Sequence, residues 1–432
     1  MNPKRIVIAG GSGFIGSALA REFSRRGYAV VVLTRSPRGR QDGVSEVAWD
    51  GRTIDVWAEQ LDGAEAVINL TGKNINCPHT PKNLLALTAS RVDSVNAIAA
   101  AIANCKTPPN VWIQASAIGF YGDTGDKLCT ESEPNGVGAL AEICGAWEAA
   151  FSSAAVPKTR KVTLRVGFVL GRDGGALPVL SRLTRFYLGG EAGNGRQYIS
   201  WIHLADLVRM FVATSEQSRF FGVFNAVAPD AMTNAEFMGE LRKILHRPWS
   251  PPVPELAIRL GSRLMGSEAT LVLMSSCCTP ERFLASEFKF QFPNLKTALN
   301  DLCRKNQLSF MKTIAIIGAS ADHSKFGNIA VRAFLKQGYT VFPVNPKGSQ
   351  IEGLPVFKSI ADLPVRPNLI SVYLPPPVLL KVLPAIAARG CDEFWLNPGT
   401  ESDEVLAEAE RLGLNVIQAC SIVGVGLSPE EV

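Results

Sequence analysis

The 432-residue sequence has no C-x-x-C pair, no long polar low-complexity run, and no block of Lys and Arg interleaved with aromatics. The first absence, with nine cysteines and hence an odd number, argues against zinc sites and a disulfide framework; reduced thiols in a cytosolic protein are expected. The second argues against disorder, since the chain is 47% hydrophobic and only 19% charged. The third argues against a nucleic-acid stripe. A membrane span is also missing: the most apolar stretch, ISVYLPPPVLLKVLPAIAA, carries four prolines and a lysine. The sequence enters a strand within five residues, so no signal peptide is expected, and the expected location is the cytoplasm. A small-molecule substrate is expected, with a homodimer as the candidate assembly.

What is present is a repeated theme. RIVIAGGSGFIG (5–16) and TIAIIGAS (313–320) are each a β-branched strand running into a glycine turn before a helix. The turns lie too far apart to be two halves of one sheet, and Met311 reads as the start of a second protein. The expectation is a fusion of two nucleotide-binding modules. Length alone suggests two or three domains. Residues 1–310 carry 34 basic against 27 acidic side chains (+7), and residues 311–432 carry 10 against 12 (−2). The excess is modest and scattered, which suits anionic small molecules.

Strand-like runs alternate with helical ones up to about residue 230. The strands are RIVIAG, AVVVLTR, AVINLTG, VWIQASA and VTLRVGFVL; the helices include SALAREFSRRG, SRVDSVNAIAAAIANC and ALAEICGAWEAAF. That alternation predicts an α/β fold with a doubly wound parallel sheet, and nearly all-apolar strands fit a sheet covered on both faces. A proline cluster after Arg247 opens a mainly helical segment, and a second alternation of five strands starts at Met311. The expected organisation is a Rossmann-type domain over 1–248, an extension over 249–300, a linker over 301–310 and a second, Rossmann-like domain over 311–432.

In the first turn Gly10, Gly11, Ser12, Gly13, Phe14, Ile15 and Gly16 combine glycine backbone freedom with a helix N-terminus, which suits a pyrophosphate. The second strand ends Leu33-Thr34-Arg35-Ser36. No acid is there to bind a ribose 2′-hydroxyl, and Arg35 stands where a 2′-phosphate would lie, so NADP is expected over NAD. Thr34, Ser36, Leu70, Thr71, Gly72 and Ala115 are expected around the same cofactor. Lys73 directly follows a strand and can reach cofactor or substrate, or lie in solvent. Asp206 reads as a helix N-cap, and His203 as a buried core residue rather than half of a catalytic dyad.

The strings GGSGFIG, LTRSP, NLTGKNI, SRVDS, SAIGFYGD, AEICGAWEAA, LRVGFVLG, WIHLAD and NAVAP together resemble an atypical extended short-chain dehydrogenase/reductase. Within that family they resemble the epimerase-like subgroup also called cell-division-inhibitor-like. The resemblance covers about the first 300 residues, with 249–300 resembling the subgroup's C-terminal extension. It implies an NADP-dependent oxidoreductase or epimerase, with Ser116 at the serine position and Asn225 touching substrate. It also implies a Tyr-x-x-x-Lys pair, but those positions hold Cys144 and Glu148, neither suited to the usual task. Tyr121, five residues after Ser116, is the expected alternative proton carrier; its other reading is an aromatic wall. The missing pair leaves open a non-catalytic regulator responding to NADPH and CoA.

Residues 311–432 resemble the coenzyme A-binding domain family related to succinyl-CoA synthetase α subunits, through IIGAS, KFGN, GYTVFPVNP, LPVFKSIADLP, RGCDEFWLNPG and QAC. Coenzyme A or an acyl-CoA is the implied ligand. Gly318, Ala319, Ser320 and Lys325 are expected at its phosphates, Asn345 and Pro346 at its adenosine, and Pro375–Pro377 as an apolar wall.

Overall fold

The structure, a computed structural model, describes residues 3–40, 42–247, 249–264, 267–303 and 313–431. Met311 and residues 304–310 of the expected linker lie outside the described residues. The chain divides into two compact units, Met1–Arg304 and Lys305–Val432.

Seven strands form the sheet of the first unit: β1 (Arg5–Ala9), β2 (Ala29–Thr34), β3 (Ser45–Ala48), β4 (Ala66–Asn69), β5 (Val111–Ala117), β6 (Arg160–Val166) and β7 (Gly222–Ala226). They lie in the order β3-β2-β1-β4-β5-β6-β7 and all pair in parallel. The strands are apolar because helices cover both faces; Ile6, Val7, Ile8, Val67, Ile68, Trp112 and Ile113 are fully buried. The order reverses between β1 and β4, and the crevice at the carboxyl ends of such a reversal is where doubly wound sheets place ligands.

The predicted strand VTLRVGFVL is two strands. β6 ends at Val166, and Phe168–Leu170 pairs instead with Trp201–His203. Gly167 is the switch: its N–H donates to Ala226, and a Cβ there would lie 2.5 Å from the Ser200 carbonyl oxygen. The edge strand β3 is polar and escaped the sequence pattern.

Four helices of this unit position the site: α1 (Phe14–Arg25), α2 (Pro81–Ala103), α3 (Ala139–Ser153) and α4 (Leu204–Glu216). α2 starts nine residues before the predicted run because Thr80 caps it, accepting from the Asn83 amide, with Pro81 at the first helical position. Among the described residues it is the one helix long and apolar enough to cross a bilayer by composition. Its Leu87, Val95, Ile98 and Ile102 are buried within the unit. α4 starts at Leu204, so its cap is His203, whose Nδ1 accepts from the Ala205 amide at 3.0 Å. The expected cap, Asp206, instead lies in the first turn. Its buried carboxylate accepts from the Gln291 and Phe292 amides, both at 2.8 Å, and so binds the chain's own extension. His203 is buried as expected and stacks on Phe292 at 3.9 Å. Burial holds its pKa below the usual histidine value.

The extension contains α5 (Glu255–Leu264) and α6 (Leu295–Cys303). Its Cys277–Cys278 pairs with Leu128–Cys129 of the first domain. α6 runs three residues past the expected end of this segment.

The second unit has five parallel strands, β8 (Thr313–Ile317), β9 (Thr340–Val344), β10 (Leu369–Val372), β11 (Glu393–Leu396) and β12 (Val416–Gln418), in the order β9-β8-β10-β11-β12. α7 (Phe326–Lys336) follows its glycine turn, and α8 (Pro376–Arg389) begins inside the proline run expected to be a plain wall.

Both glycine turns are packed against their helices. A Cβ on Gly16 would sit 2.5 Å from the Gly11 Cα, and one on Gly327 2.5 Å from the Gly318 carbonyl oxygen. Gly13 differs: its nearest neighbour would be 3.5 Å away. Gly16→Ala is therefore expected to destabilise the protein by about 1–3 kcal/mol in urea unfolding, and Gly13→Ala to change stability by less than about 0.5 kcal/mol. Equal losses would show that the turn itself demands both glycines.

Candidate active site and cofactor cups

Gly10 takes φ +74°, a backbone form that favours glycine, and bends the chain so closely that a Cβ would lie 3.1 Å from the Leu70 carbonyl carbon. The turn then delivers α1 amino end first into the crevice. Among the described residues the Ser12, Phe14, Ile15 and Gly16 amides have no partner, and the first turn of α1 has no acid. Free amides and a helix dipole make an anion cup. The open space at Gly13 lets a ligand backbone come close. Thr34 donates to Ser12 Oγ at 3.1 Å, tying β2 to the turn. Arg35 and Ser36 are exposed, and among the described residues the Arg35 guanidinium has no hydrogen bond or ion pair. On the other flank, Thr71 Oγ1 is buried without a partner among the described residues. Ala115 is buried within β5.

Three strands supply one polar row. Ser116 of β5, Arg165 of β6 and Asn225 of β7 are direct register partners. Ser116 Oγ donates to Glu148 Oε1 at 2.7 Å. Arg165 grips Glu148 with two bonds, Nε to Oε1 and Nη2 to Oε2, each 2.9 Å. Its Nη1 donates to the Tyr121 hydroxyl at 2.8 Å, and that hydroxyl donates to Asn225 Oδ1 at 2.7 Å. Asn225 Nδ2 is used by the Thr279 carbonyl at 2.9 Å. Arg165 is 4% exposed and lies 3.5 Å over the Phe120 ring. The directions are fixed: a guanidinium only donates, so Tyr121 accepts from it and gives its own proton to Asn225. An ionised Glu148 only accepts, so the Ser116 proton points to it. Burial pushes the Tyr121 pKa up.

The structure thus brings Ser116, Tyr121 and Asn225 into one hydrogen-bonded network. Arg165 was missed; the signal was a single charge in the apolar run VTLRVGFVL. Lys73 is apart from this row, exposed, with Nζ donating to Asn83 Oδ1 at 2.8 Å.

In the second unit, Gly318 (φ +87°), Lys325, Phe326, Gly327, Tyr373, Pro375, Asn397–Thr400 and Cys420 line a cleft of about 400 Å³. The expected phosphate loop is partly spent. Ser320 Oγ accepts from the Asp322 amide, Asp322 Oδ1 from the Ser324 amide, and the Asp322 carbonyl from the Lys325 amide. The Asp322 carboxylate closes the loop on itself. Among the described residues the Ala319, Ser320 and Ala321 amides of the loop and the Phe326 and Gly327 amides at the start of α7 have no partner. Asn345 Nδ2 donates to the Ala319 carbonyl at 2.7 Å and pins the turn; neither Asn345 nor Pro346 lines the cleft.

Comparison with known proteins is consistent with this geometry. Residues 6–226 match the NAD dependent epimerase/dehydratase family, 253–302 a domain of unknown function, and 312–425 the CoA binding domain. An epimerase family protein of Staphylococcus saprophyticus, SSP1921, is 35% identical over 301 residues, covering 69% of this chain and 99% of the relative. The mouse epimerase family protein SDR39U1 is 34% identical over 305 residues, with the same two coverages. The chain belongs to the NAD dependent epimerase/dehydratase family. Among solved epimerase-family structures, human SDR39U1 (isoform 2), crystallised with NADPH, superposes with TM-score 0.63 at 30% identity, covering 70% of this chain and 99% of that one. A nucleoside-diphosphate sugar epimerase of Corynebacterium glutamicum reaches TM-score 0.56 at 28% identity, covering 69% of this chain and 58% of that one.

Within this epimerase-family fold, the residues standing for Tyr-x-x-x-Lys lie on α3. Cys144 is buried, and burial pushes its thiol up to about 12, with the Glu148 charge adding to the effect. It stays a thiol at neutral pH and is no proton acceptor. Cys278, beside Tyr121, is pushed equally high by burial.

Two outcomes are expected. Removing one partner of the buried pair, as in Glu148→Leu or Arg165→Leu, leaves an uncompensated charge and costs about 3–5 kcal/mol in urea unfolding; the double variant costs less than the sum. Additive losses would mean the pair is not coupled. The buried thiols contribute to the alkaline limit. Their folded pKa values lie above the ordinary 9.0, so the unfolded chain releases protons first as pH rises. The stabilisation is complete below pH 9 and is lost between 9 and about 12, on the order of 1 kcal/mol per pH unit per thiol. Cys144→Ala should flatten that decline, and an unchanged slope would count against the assignment.

Proposed function

We propose that the first domain binds NADPH and the second a coenzyme A species, and that the chain works as a ligand-responsive regulator rather than an oxidoreductase. The observation that carries this is the direction of two protons. Ser116 gives its proton to Glu148 and Tyr121 gives its proton to Asn225. In carbonyl reduction a hydroxyl must donate to the oxygen as charge develops. Both candidate hydroxyls have spent that proton inward, Cys144 is a high-pKa thiol, and Glu148 is neutralised by Arg165.

NADPH fits the residues present. The Ser12, Phe14 and Ile15 amides meet the pyrophosphate, and Gly13 gives it room. Arg35, without a partner among the described residues, meets the 2′-phosphate, with Thr34 and Ser36 at its sides and Leu70–Gly72 along the other flank. Bound NADPH supplies a hydride donor; the chain's part is to hold and orient it. The human relative crystallised with NADPH supports the same choice. For coenzyme A, Lys325 and the first amides of α7 suit its phosphates, and Tyr373, Leu374 and Pro375 its apolar parts.

The second reading is an NADP-dependent oxidoreductase or epimerase. It is favoured by the position of Ser116 at the end of β5, in the crevice beside the cup.

Titration of the full chain separates these readings. Arg35→Met should weaken NADPH by roughly 10- to 100-fold while NADH binding stays unchanged, since charge-assisted hydrogen bonds contribute about 1.5–3 kcal/mol. Saturating NADPH should alter the affinity for CoA, and CoA should alter that for NADPH by the same factor. NADPH oxidation over a broad carbonyl panel that falls with Ser116→Ala would restore the oxidoreductase reading.

A further inference from the structure

Glu148 and Arg165 neutralise each other, but a third charge in the same region has no counterpart. Arg91, on α2, is half-buried, and its one hydrogen bond among the described residues is from Nη1 to the Leu87 carbonyl at 2.9 Å. Among the described residues no carboxylate pairs with it. Burial pulls its pKa down. The guanidinium runs against Gly72, where a Cβ would lie 3.1 Å from Arg91 Cζ, and sits 5.1 Å over the Trp147 ring. Trp147 is 6% exposed, and its indole N–H is buried with no partner among the described residues. Lys73, next to Gly72, also has no carboxylate partner among the described residues. An arginine withdrawn from water without an anion is costly, and the cost is recovered when a ligand supplies the anion.

The cofactor's anions are already matched in the reading above, which this inference rests on. The pyrophosphate goes to the α1 amides and the 2′-phosphate to Arg35 after β2. Arg91 lies on the opposite side of β1, on the helix joining β4 to β5, near Cys144. That is the side of Ser116 and Tyr121, away from the adenosine end.

We infer that this side holds a second small-molecule ligand bearing an oxyanion, a carboxylate or a phosphate ester, with the Arg91 guanidinium as its forked clamp and Lys73 at the rim. A planar guanidinium suits either group through paired hydrogen bonds.

The test uses the full-length protein saturated with NADPH. It is titrated with malonate, with inorganic phosphate and with neutral glycerol at constant ionic strength, following melting temperature. The expected result is a saturable rise with one or both oxyanions and none with glycerol; whichever anion acts identifies the group. Arg91→Met should abolish the rise while leaving the NADPH dissociation constant within twofold, and Arg91→Lys should keep part of it. Lys73→Met, an exposed change that spares the fold, should weaken the oxyanion severalfold and serves if Arg91→Met does not fold. No rise with either anion overturns the inference, as does a rise unaffected by these substitutions. So does a tenfold loss of NADPH affinity in Arg91→Met, which would assign the arginine to the cofactor. Failure of the unmodified protein to bind NADPH would instead overturn the underlying reading.

Discussion

The buried Glu148–Arg165 pair governs the first domain's site. Taking two charges out of water costs several kcal/mol, and their attraction offsets this only when nearly every remaining donor and acceptor is satisfied. Arg165 meets that demand. It gives two bonds to Glu148 and one to Tyr121, and a longer one, 3.4 Å, to the Glu131 carbonyl. Every group that touches the pair is forced into one role. Ser116 must donate to the carboxylate, and Tyr121 must accept from the guanidinium. A helix position that holds a lysine in the active members of this family, as the resemblance implies, here carries an acid, and the neighbouring strand supplies its cation. The cation is displaced by one strand and its charge is cancelled by the carboxylate, and the hydroxyl protons turn with it.

Much of the architecture was legible in the sequence because it rests on local rules. Apolar strand-like runs gave five of the seven first-domain strands and all five of the second. The glycine turns were visible because Gly10 and Gly318 need positive φ, and Gly16 and Gly327 need to lack a side chain. What escaped was set by distant residues. Nothing local marks where VTLRVGFVL changes partner, since the Ser200 carbonyl decides it. Asp206 has the chemistry of a cap, but it serves the Gln291 and Phe292 amides 85 and 86 positions away. Arg165 stood out as a charge in a strand, yet its partner lies on a helix and its register with Ser116 appears only in the assembled sheet.

The two glycine turns solve one problem with different means. In the first, six positions separate Gly10 from Gly16, and among the described residues the Ser12, Phe14 and Ile15 amides between them have no partner. In the second, nine separate Gly318 from Gly327, and the additional length is folded up by Asp322. The helix start is pushed back to Phe326, and unpartnered amides among the described residues occur both there and at Ala319–Ala321 beside the turn. The sheets differ accordingly: the first reverses between β1 and β4 of seven strands, the second between β8 and β10 of five. Both crevices favour phosphate at a helix N-terminus, but their flanks differ. One offers Arg35 and a polar row, the other Tyr373, Leu374 and Pro375. The difference suits a dinucleotide in one and a ligand with a long apolar arm in the other.

The extension, matched to a domain of unknown function, has a physical task in this arrangement. An asparagine amide can face either way, and its direction decides what Tyr121 can do. Thr279, just after the extension's strand Cys277–Cys278, places its carbonyl 2.9 Å from Asn225 Nδ2, and the Cys129 carbonyl lies at 3.4 Å. Two acceptors on one side leave Oδ1 facing the Tyr121 hydroxyl. The Arg282 amide and the Asn225 amide both reach Glu131 Oε1, at 3.4 and 2.9 Å, which fixes the same strand end from below. The extension therefore sets the orientation of one side-chain amide, that amide takes the tyrosine proton, and the tyrosine is left as an acceptor for Arg165. The extension thereby helps to decide which proton the site can offer to a ligand.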